Sequence, residues 1–437
     1  MNLVQKKIPL VIGLGITGRS LVNYLANIHK EIVIIEDSID QTLLDEIKQP
    51  NLTLHVNPSI NDDLLRKIST LYPSPGIPAD HDIFSYASKF DIAISSDIQE
   101  FIKFNSSRKI LVTGTNGKTS TCLIIKSLFE NFLPDLNTLV MGNIGEPVLD
   151  NINKNIDISI IEISSFQLEL LKEIEFDIGL LLNIEEDHID RHFNFENYKK
   201  IKYSILKNSS FNISFDSNNL FQKDFRNYKN INLPLDFFES KMFKKWPLHD
   251  IDNLKASLAV IDCYCENFTS LSLEDFNVTK ELELAFDEFL KPPHRFEFLG
   301  NINGINFIND SKATNIDAML KAIRSANEIK KNGDIHLICG GDLKNQKITS
   351  LNLNEVKKVT SAIIFGKDKE IIYRSINQFA ECSVVSDLKE AVHLAIKLSK
   401  EGDCIMLSPA CSSLDMYKDY AERGNEFKKI VSNLQHD

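Results

Sequence analysis

The sequence lacks both a long apolar run and an excess of positive charge. No stretch of its 437 residues approaches the roughly 18 apolar residues of a membrane helix, so we expect no membrane span. Lys and Arg total 49 against 61 Asp and Glu, which gives a net charge of -12 at pH 7. This balance argues against broad, nonspecific binding to nucleic acid or anionic lipid. Any anionic ligand must therefore be held by a local site.

Cysteine is scarce and follows no recognisable pattern. The chain has seven cysteines, an odd number, and no pair has the C-x-x-C spacing of a redox or metal motif. We therefore expect a reduced protein in the cytoplasm. The sequence also has no internal repeat and no low-complexity linker, and its 43% hydrophobic content is that of an ordinary globular protein.

The length and the order of apolar segments predict three α/β domains. We place them at residues 1–97, 98–291 and 292–437, since a domain usually has roughly 100 to 200 residues. Each begins with a buried strand followed by a turn and a helical pattern. Residues 209–245 show no clean periodicity, and there we predict only short strands and loops.

The first candidate motif is a glycine-rich turn between a predicted strand and a predicted helix. It has the form G-x-G-x-x-G and consists of Gly13, Leu14, Gly15, Ile16, Thr17 and Gly18. Backbone N–H groups and the helix dipole at such a turn can hold a diphosphate. Glu36 and Asp37 end the next strand about 20 residues on, at the place of a ribose-binding carboxylate. The motif alone leaves open NAD, a UDP derivative, or a turn needed only for close helix packing.

The second motif is a shortened phosphate loop. Its sequence GTNGKTS, at residues 114–120, follows a strand, but Val112 stands where the usual P-loop has its first glycine. Backbone amides near Gly117 can still cradle phosphate, Lys118 can neutralise the β and γ groups, and the Thr119 hydroxyl can ligate Mg²⁺. This motif predicts binding of a nucleoside triphosphate.

Acidic side chains follow the next two strands of the second domain. Glu162 ends one strand, and a run of Glu185, Glu186, Asp187 and His188 follows the other. Carboxylates beside a triphosphate suit Mg²⁺ at the carboxyl edge of a parallel sheet. We retain His188 as a candidate ligand. No H-E-x-x-H motif is present, so we expect His192 to be structural.

Taken together, the motifs resemble the Mur ligase family of peptidoglycan synthesis. The segments that carry this resemblance are GTNGKTS (114–120), GNIG (142–145), EISSFQLE (162–169) and EDHIDR (186–191). Four others resemble the branch of the family that uses D-glutamate: SPGI (74–77), PHRFE (293–297), NDSKATN (309–315) and SPACSSLD (408–415). The resemblance covers essentially the whole chain, in order, except residues 209–245.

The resemblance implies a fold and an activity. It implies a Rossmann-like UDP-binding domain, a central P-loop-type ATPase domain and a C-terminal Rossmann-like α/β domain that holds the amino acid. The implied enzyme is an ATP-dependent amide-forming ligase, which joins UDP-N-acetylmuramoyl-L-alanine to D-glutamate through an acyl phosphate. ATP and two Mg²⁺ ions are the implied cofactors. We expect a monomer with no nucleic-acid partner.

The resemblance also implies site residues, which we group by role. The catalytic group is Lys118, Glu162, His188, Lys202 and Lys312. Thr119 and Glu162 would hold one Mg²⁺, whereas His188 and a carbamylated Lys202 would hold the other, because carbamylation turns a cation into an anionic oxygen ligand. The ATP group is Gly114, Thr115, Asn116, Gly117, Lys118, Thr119, Ser120, Thr121, Asn253, Arg295 and Asp310.

Two further groups belong to the other substrates. The UDP-substrate group is Gly13, Leu14, Gly15, Ile16, Thr17, Gly18, Glu36, Asp37, Ser74, Pro75, Gly76, Asn143, Ser164, Gln167 and His188. The D-glutamate group is Thr314, Lys344, Ser413, Leu414 and Tyr420. With ligands divided in this way, we expect the third domain to close on the other two about a hinge near residues 291–294.

Two positions depart from the family pattern. Asp250 stands where an Asn is usual near the adenine, and Tyr420 stands where we expect Phe. Three alternatives stay open: a sibling ligase with another acceptor, an NAD-dependent dehydrogenase resting on the Gly13 turn and Glu36, and a non-catalytic nucleotide-sensing relative. The last would be expected to lose Lys118, Glu162, His188 or Lys202, yet all are present.

Overall fold

Three α/β sheets form the frame of the protein in a computed structural model. The structure describes residues 8–37, 47, 52–172, 174–215, 248–287, 292–329, 333–344, 346, 348 and 353–434. Within those ranges no helix is long and apolar enough to cross a membrane. All seven cysteines are described, and all are free thiols. No covalent cross-link therefore contributes to the stability of the fold.

The first sheet has five parallel strands in the order β3-β2-β1-β4-β5. Its central strand, β1, is apolar throughout and almost wholly buried, as expected of a parallel strand covered on both faces. The strands are β1 (Ile8–Ile12), β2 (Glu31–Ile35), β3 (Thr53–Val56), β4 (Ile68–Pro73) and β5 (Ala93–Ile94). The helices are α1 (Ile16–Ala26), α2 (Asp62–Leu65), α3 (Asp82–Lys89) and α4 (Asp97–Phe104).

The second sheet is also fully parallel, in the order β10-β9-β6-β8-β7. Its strands are β6 (Arg108–Thr113), β7 (Thr138–Gly142), β8 (Ile158–Glu162), β9 (Phe176–Leu181) and β10 (Ser209–Ser214). Its helices are α5 (Lys118–Phe132), α6 (Ser165–Leu170), α7 (Ile189–His192), α8 (Phe195–Asn208), α9 (Leu248–Phe268) and α10 (Val278–Asp287), with 3₁₀ turns at Val148–Asn151 and Leu273–Asp275. Because β6 lies between β8 and β9, the loops that follow these three strands meet at one edge.

The third sheet has six strands in the order β11-β12-β16-β13-β14-β15. An antiparallel hairpin of β11 and β12 is joined to strands that otherwise pair in parallel. The strands are β11 (Glu297–Ile302), β12 (Ile305–Asn309), β13 (Ile335–Gly340), β14 (Ser361–Phe365), β15 (Glu381–Val384) and β16 (Cys404–Leu407). The helices are α11 (Ile316–Ile329), α12 (Lys369–Ile376), α13 (Leu388–Leu398) and α14 (Tyr420–Asn433), with a 3₁₀ turn at Leu353–Lys358.

The contacts between domains differ in polarity. One apolar cluster runs from the first domain into the second, since Leu21 and Tyr72 share it with Val148 and Ile161. The two apolar clusters of the third domain consist of that domain's own residues, within the part of the chain that the structure describes. The first two domains are therefore joined by buried apolar surface, whereas the third meets them through polar groups described below.

The structure confirms the predicted α/β architecture with three parallel-rich sheets, while the exact domain boundaries stay predictions. In the region of low periodicity, β10 occupies residues 209–214, whereas residues 216–247 lie outside the described residues. Lys291, the first residue of the expected hinge, also lies outside them.

Candidate active site

A cavity of about 770 Å³ lies where the three domains meet. The first domain contributes the glycine-rich turn and the 74–77 loop, the second the phosphate loop and the ends of β7 and β8, and the third Arg295, Lys312, Thr314 and Asn315. Other cavity-lining residues from the predicted groups are Thr17, Asn143, Glu162, Ser164, Gln167, His188 and Lys202. The fold therefore brings together residues that the sequence separates by up to about 300 positions.

The glycine-rich turn of the first domain is set by two close backbone approaches. Gly13 has φ +87°, a left-handed conformation that favours glycine, and its carbonyl accepts a 2.8 Å hydrogen bond from Ser74 Oγ. A Cβ on Gly18 would lie 1.9 Å from the Gly13 carbonyl oxygen, so only glycine fits there. The Leu14 N–H donates to the Glu36 carboxylate. One backbone donor of the turn is thus bound to the protein's own carboxylate.

The two acidic residues after β2 lie beside this turn. Glu36 accepts from Leu14 N–H and from Asp37 N–H, the latter at 2.9 Å, and its backbone is held by Asn57. These bonds give Glu36 a local structural task. Contacts of Glu36 and Asp37 with a ribose stay a prediction.

The phosphate loop follows β6 and runs into the first turn of α5, which begins at Lys118. Gly117 has φ +86°, and a Cβ there would lie 2.3 Å from Asn253 Oδ1, which makes this position glycine-specific. Lys118 Nζ donates to the carbonyl oxygens of Gly114 and Thr115, at 2.8 and 2.9 Å. Burial lowers the pKa of Lys118, although Glu162 and Asp187 oppose this effect. The lysine is therefore folded back on its own loop, within reach of an anion placed there.

A hydroxyl and a carboxylate meet beside the phosphate loop. Thr119 Oγ1 donates to Glu162 Oε2 at 2.8 Å, and Asn143 Nδ2 donates to Glu162 Oε1 at 2.9 Å. Arg295 from the third domain donates to Thr119 Oγ1 at 2.6 Å. Glu162 is only 2% exposed and ends β8. The pair of oxygens is a donor set suited to a hard divalent cation.

Lys202 lies on α8 and is buried behind the phosphate loop. It is 1% exposed, and its Nζ donates to the Gly114 carbonyl at 2.9 Å. Burial and the nearby Lys118 charge hold the pKa of Lys202 well below its ordinary value. Burial therefore disfavours the charged ammonium, and the neutral amine is the form that reacts with carbon dioxide.

The two histidines of the loop after β9 have different surroundings. His188 has φ 52° and lines the cavity, with its ring 5.0 Å from that of Phe166. His192 is fully buried and its Nε2 lies 2.9 Å from Ser165 Oγ. Burial, with the charges of Arg191 and His188, lowers the pKa of His192 to about 4, so its imidazole is neutral. This geometry is that of a structural histidine.

Ser164 and Gln167 line the cavity from the start of α6. They form a reciprocal capping box, in which Ser164 Oγ accepts from Gln167 N–H and Gln167 Oε1 accepts from Ser164 N–H. The local sequence therefore fixes the helix terminus that faces the cavity. Their contact with the UDP substrate stays a prediction.

Lys312, like Arg295, is a cation that the third domain brings to the cavity. Its ammonium lies 3.7 Å from the centre of the Tyr420 ring, a cation–π contact. Burial, Arg295 and Lys118 lower the pKa of Lys312 to about 7. An anionic ligand between these cations would favour the charged form again. The ring of Tyr420 is thus a support for Lys312 as well as a predicted wall of the amino-acid site.

The other residues of the predicted D-glutamate group are spread over three loops of the third domain. Lys344 Nζ lies 3.8 Å from Asp187 Oδ1, Ser413 is buried, and Leu414 is 70% exposed. Burial would raise the pKa of Asp187, but His188 and Lys344 outweigh it and hold this pKa below its ordinary value. Asp187 is therefore a carboxylate shared between two domains.

A second cavity of about 420 Å³ lies beside the phosphate loop and shares Asn116 and Gly117 with the first cavity. Asn253, Asp250, Ser120 and Asp310 are among its lining residues. Asp310 is held by Phe296 N–H and Ser408 Oγ. Thr121, also assigned to the nucleotide, is fully buried and lines neither cavity. Its contact with ATP stays a prediction.

Sequence reasoning missed Arg423, which is completely buried on α14. Its guanidinium donates to Ser311 Oγ at 3.0 Å, to the Ser311 carbonyl at 2.9 Å and to the Cys411 carbonyl at 3.1 Å. Burial lowers the pKa of Arg423 to about 10, which still leaves it charged near neutral pH. It thus joins the loop of Lys312 to the loop of Ser413. No residue pattern in the sequence singles it out.

Asn315 was also missed as a site residue, although it lies in a segment that carries the resemblance. Its Nδ2 donates to Asn116 Oδ1 at 3.0 Å, and Asn116 Nδ2 donates to Asn315 Oδ1 at 3.3 Å. These bonds join the third domain to the phosphate loop. The signal available in the sequence was a helix-capping residue at the start of an apolar-periodic segment.

Models of three Mur ligase domains match consecutive parts of the chain. The Mur ligase MurD-like N-terminal domain matches residues 7–96, the Mur ligase middle domain residues 112–239, and the Mur ligase glutamate ligase domain residues 294–411. Together these matches cover most of the sequence.

Two relatives are similar over nearly their whole length. The UDP-N-acetylmuramoylalanine--D-glutamate ligase of Francisella philomiragia subsp. philomiragia is 32% identical over 446 residues, covering 99% of this chain and 98% of the relative. The ligase of the same name from Francisella tularensis subsp. tularensis is 31% identical, covering 98% and 96%.

Solved structures share the fold at lower identity. UDP-N-acetylmuramate-alanine ligase MurC from Thermotoga maritima has a TM-score of 0.55 at 16% identity, covering 98% of this chain and 99% of the other. MurF ligase from Thermotoga maritima in complex with ADP also has a TM-score of 0.55, at 14% identity and with 100% and 99% covered. At these identities the likeness concerns the fold alone.

Proposed function

The chain belongs to the Mur ligase family, and on that premise we propose that it adds D-glutamate to UDP-N-acetylmuramoyl-L-alanine with cleavage of ATP. The observation that carries the proposal is the single cavity that joins a diphosphate-type turn, a phosphate loop and a cationic third-domain loop. The name and nearly full-length alignment of the relatives support D-glutamate as the acceptor.

The proposed reaction has two steps in one cavity. The L-alanine carboxylate of the UDP substrate attacks the γ-phosphorus of ATP, which forms an acyl phosphate and releases ADP. The amine of D-glutamate, having lost a proton, then attacks the acyl carbon, and phosphate leaves as the amide forms. The first step brings two anions together, so it depends on positive charge at the oxygens that repel each other.

Side chains of this protein supply much of that charge. Lys118 would exchange its two carbonyl partners for the β- and γ-phosphates, since it already lies on the phosphate loop. Arg295 and Lys312 enter the same cavity from the third domain, and Arg295 donates to Thr119, the residue after Lys118. Because the pKa of Lys312 is about 7, binding of the nucleotide anion would return it to its charged form.

Two Mg²⁺ ions form part of the proposal. Thr119 and Glu162, whose oxygens lie 2.8 Å apart, would hold one ion. His188 and a carbamylated Lys202, which line the same cavity, would hold the second. When bound, the ions would supply further positive charge to the transferred phosphoryl group. Carbamylation joins the neutral Lys202 amine to carbon dioxide with loss of one proton, and the depressed pKa of Lys202 favours it.

The remaining parts of the proposal concern the substrates and the setting. The turn at Gly13 and the Ser74 loop would hold the UDP diphosphate. Thr314, Lys344 and Ser413 would surround D-glutamate, although of these three residues Thr314 alone lines the cavity. We take the enzyme to act as a monomer in the cytoplasm, where the seven free cysteines would stay reduced.

Phosphate release measured with UDP-N-acetylmuramoyl-L-alanine and ATP tests the proposal directly. We expect release to depend on D-glutamate and to stay at background with L-glutamate, meso-diaminopimelate or no acceptor. Product mass must rise by one glutamyl unit. Activity with meso-diaminopimelate, but none with D-glutamate, would instead indicate a sibling ligase. Turnover of NAD with no phosphate release would contradict the family activity altogether.

A further inference from the structure

We propose that Asn315 is a positioning residue that latches the third domain onto the phosphate loop. The inference rests on the proposed function, because the latch matters only if the third domain must deliver Lys312 and Thr314 to bound ATP. Asn315 lines the same cavity as these residues, but it is only 2% exposed and its amide is hydrogen-bonded within the protein. It would act through the placement of Lys312 and not through contact with the reacting atoms.

The first observation is that Asn315 begins a helix. Its Oδ1 accepts a 2.9 Å hydrogen bond from Ala318 N–H, the N-cap geometry at the start of α11. Three residues earlier in the chain, Lys312 stands over the Tyr420 ring. A cap that is fixed in space therefore also fixes the loop that carries Lys312.

The second observation is a reciprocal pair of amides across the domain boundary. Asn315 and Asn116 each donate to the other, at 3.0 and 3.3 Å. Asn116 Nδ2 also donates to Asp317 Oδ2 at 3.1 Å, in the first turn of the same helix. Asn116 belongs to the phosphate loop, so the N-terminus of α11 is hydrogen-bonded directly to the loop that would hold the nucleotide.

The third observation is that Asn315 also reaches the loop after β9. Its Nδ2 donates to Asp187 Oδ2 at 3.4 Å, next to His188. With Ala318 and Asn116 on Oδ1, and Asn116 and Asp187 on Nδ2, this side chain uses two acceptor sites and two donor hydrogens. One buried amide is fully satisfied only when the two domains are together.

These hydrogen bonds lie at a polar contact between the third domain and the phosphate loop, so they would contribute directly to domain closure. Among the described residues, the apolar clusters of the third domain contain residues of that domain alone, and polar pairs connect it to the phosphate loop. Such pairs form in a closed arrangement and exchange for water in an open one at small net cost. A buried, reciprocal amide pair supplies direction and register to the closed state.

Asn315→Asp is the variant that separates latching from capping. Aspartate is as good an N-cap as asparagine, so α11 should stay intact. It has no donor for Asn116 or Asp187, and it places a second carboxylate beside Asp187. Asn277→Asp is the matched control, because Asn277 is exposed and caps α10 by accepting from Lys280 N–H at 3.2 Å.

The measurements are steady-state kinetics, calorimetry and small-angle scattering on the full chain. For Asn315→Asp we expect kcat to fall at least about 10-fold and the D-glutamate KM to rise, because catalytic groups are displaced. Affinity for UDP-N-acetylmuramoyl-L-alanine alone should not change. Adding a non-hydrolysable ATP analogue and the UDP substrate should lower the radius of gyration, measured by small-angle scattering, by less in this variant than in the parent. Asn277→Asp should match the parent in every assay.

Several results would overturn the latch. Unchanged kcat and unchanged scattering in Asn315→Asp would do so, as would an equal loss in Asn277→Asp. If Asn315→Asp does not fold, Asn315→Ser keeps a capping oxygen without the amide donors and must show the same losses; parent-like kinetics in it would also overturn the latch. Failure of the proposed function is separate, because it would appear in the parent as absent D-glutamate-dependent phosphate release, while scattering still reports closure.

Discussion

The glycine-rich turn at residues 13–18 and the phosphate loop at residues 114–120 have a similar backbone conformation but differ in the charge of their side chains. Gly13 and Gly117 each follow a buried parallel strand, precede a helix and have φ near +87°. In the second loop Lys118 is the next residue and Glu162 lies across from it, whereas residues 13–18 contain no cation. The Leu14 N–H of the first loop is bound by Glu36.

This difference shows that a glycine motif can indicate a phosphate-binding turn but cannot by itself indicate the chemistry that takes place there. The glycines make room for a close approach of the backbone, and the helix terminus adds a partial positive charge. Both loops can therefore receive phosphate groups. Side chains around the loop decide the rest: a lysine with a metal-type oxygen pair suits a transferred phosphoryl group, whereas a turn without a cation suits a group that is only held.

Lys118→Ala should have the largest effect, because it removes the cation that distinguishes the phosphate loop from the turn at residues 13–18. We expect ligation to fall by about 10³-fold or more, since a cation at the transferred phosphoryl group is lost. Affinity for UDP-N-acetylmuramoyl-L-alanine should be nearly intact, because the first loop lies in another domain. Calorimetry with phosphate-release kinetics measures both. Lys126→Ala, on the same helix, is the control; equal loss of UDP-substrate affinity in Lys118→Ala would contradict separate sites.

Lys202→Ala tests whether the second loop also depends on a carbamylated lysine. We expect a loss of at least about 100-fold, because removing a metal ligand should cost no less than removing one of its outer-shell partners. Acetate or formate should restore part of the activity by supplying the missing carboxylate oxygens, but should not rescue Lys118→Ala. Lys200→Ala, an exposed neighbour on α8, should behave like the parent. Full activity of Lys202→Ala without added carboxylate would show that the lysine is dispensable.

Glu36→Gln should have the smallest effect, and it tests how much the charge of the carboxylate contributes to the turn at residues 13–18. Glutamine can still accept from Leu14 N–H, but the bond loses its charge, which should cost about 1 kcal/mol in unfolding free energy. UDP-substrate affinity should fall by no more than about fivefold, with kcat at saturation unchanged. Urea unfolding measures the change in unfolding free energy, and calorimetry measures the affinity for the UDP substrate. A loss of several hundredfold would instead make Glu36 a principal ligand-binding group.

The sequence identified the local chemistry of both loops but not the groups that hold them together. Lys118, Thr119 and Glu162 were predicted from residue type and position, and the structure places all three at one cavity. Arg423 was not predicted, because a lone arginine on an amphipathic helix is usually exposed. Its burial and its bonds to two loops depend on residues about 110 and 12 positions away, at Ser311 and Cys411.

What the sequence determined by itself was therefore local: the strands, the glycine turns, the capping signals and the order of three α/β domains. These follow from periodicity and from backbone stereochemistry, which act between near neighbours. The contacts of Asn315 with Asn116 and Asp187, the lowered pKa of Lys202 and the polar contacts of the third domain with the phosphate loop depend on the folded arrangement of the domains. Those properties arise from desolvation and from contacts across domain boundaries, and neither is a function of any single segment of the chain.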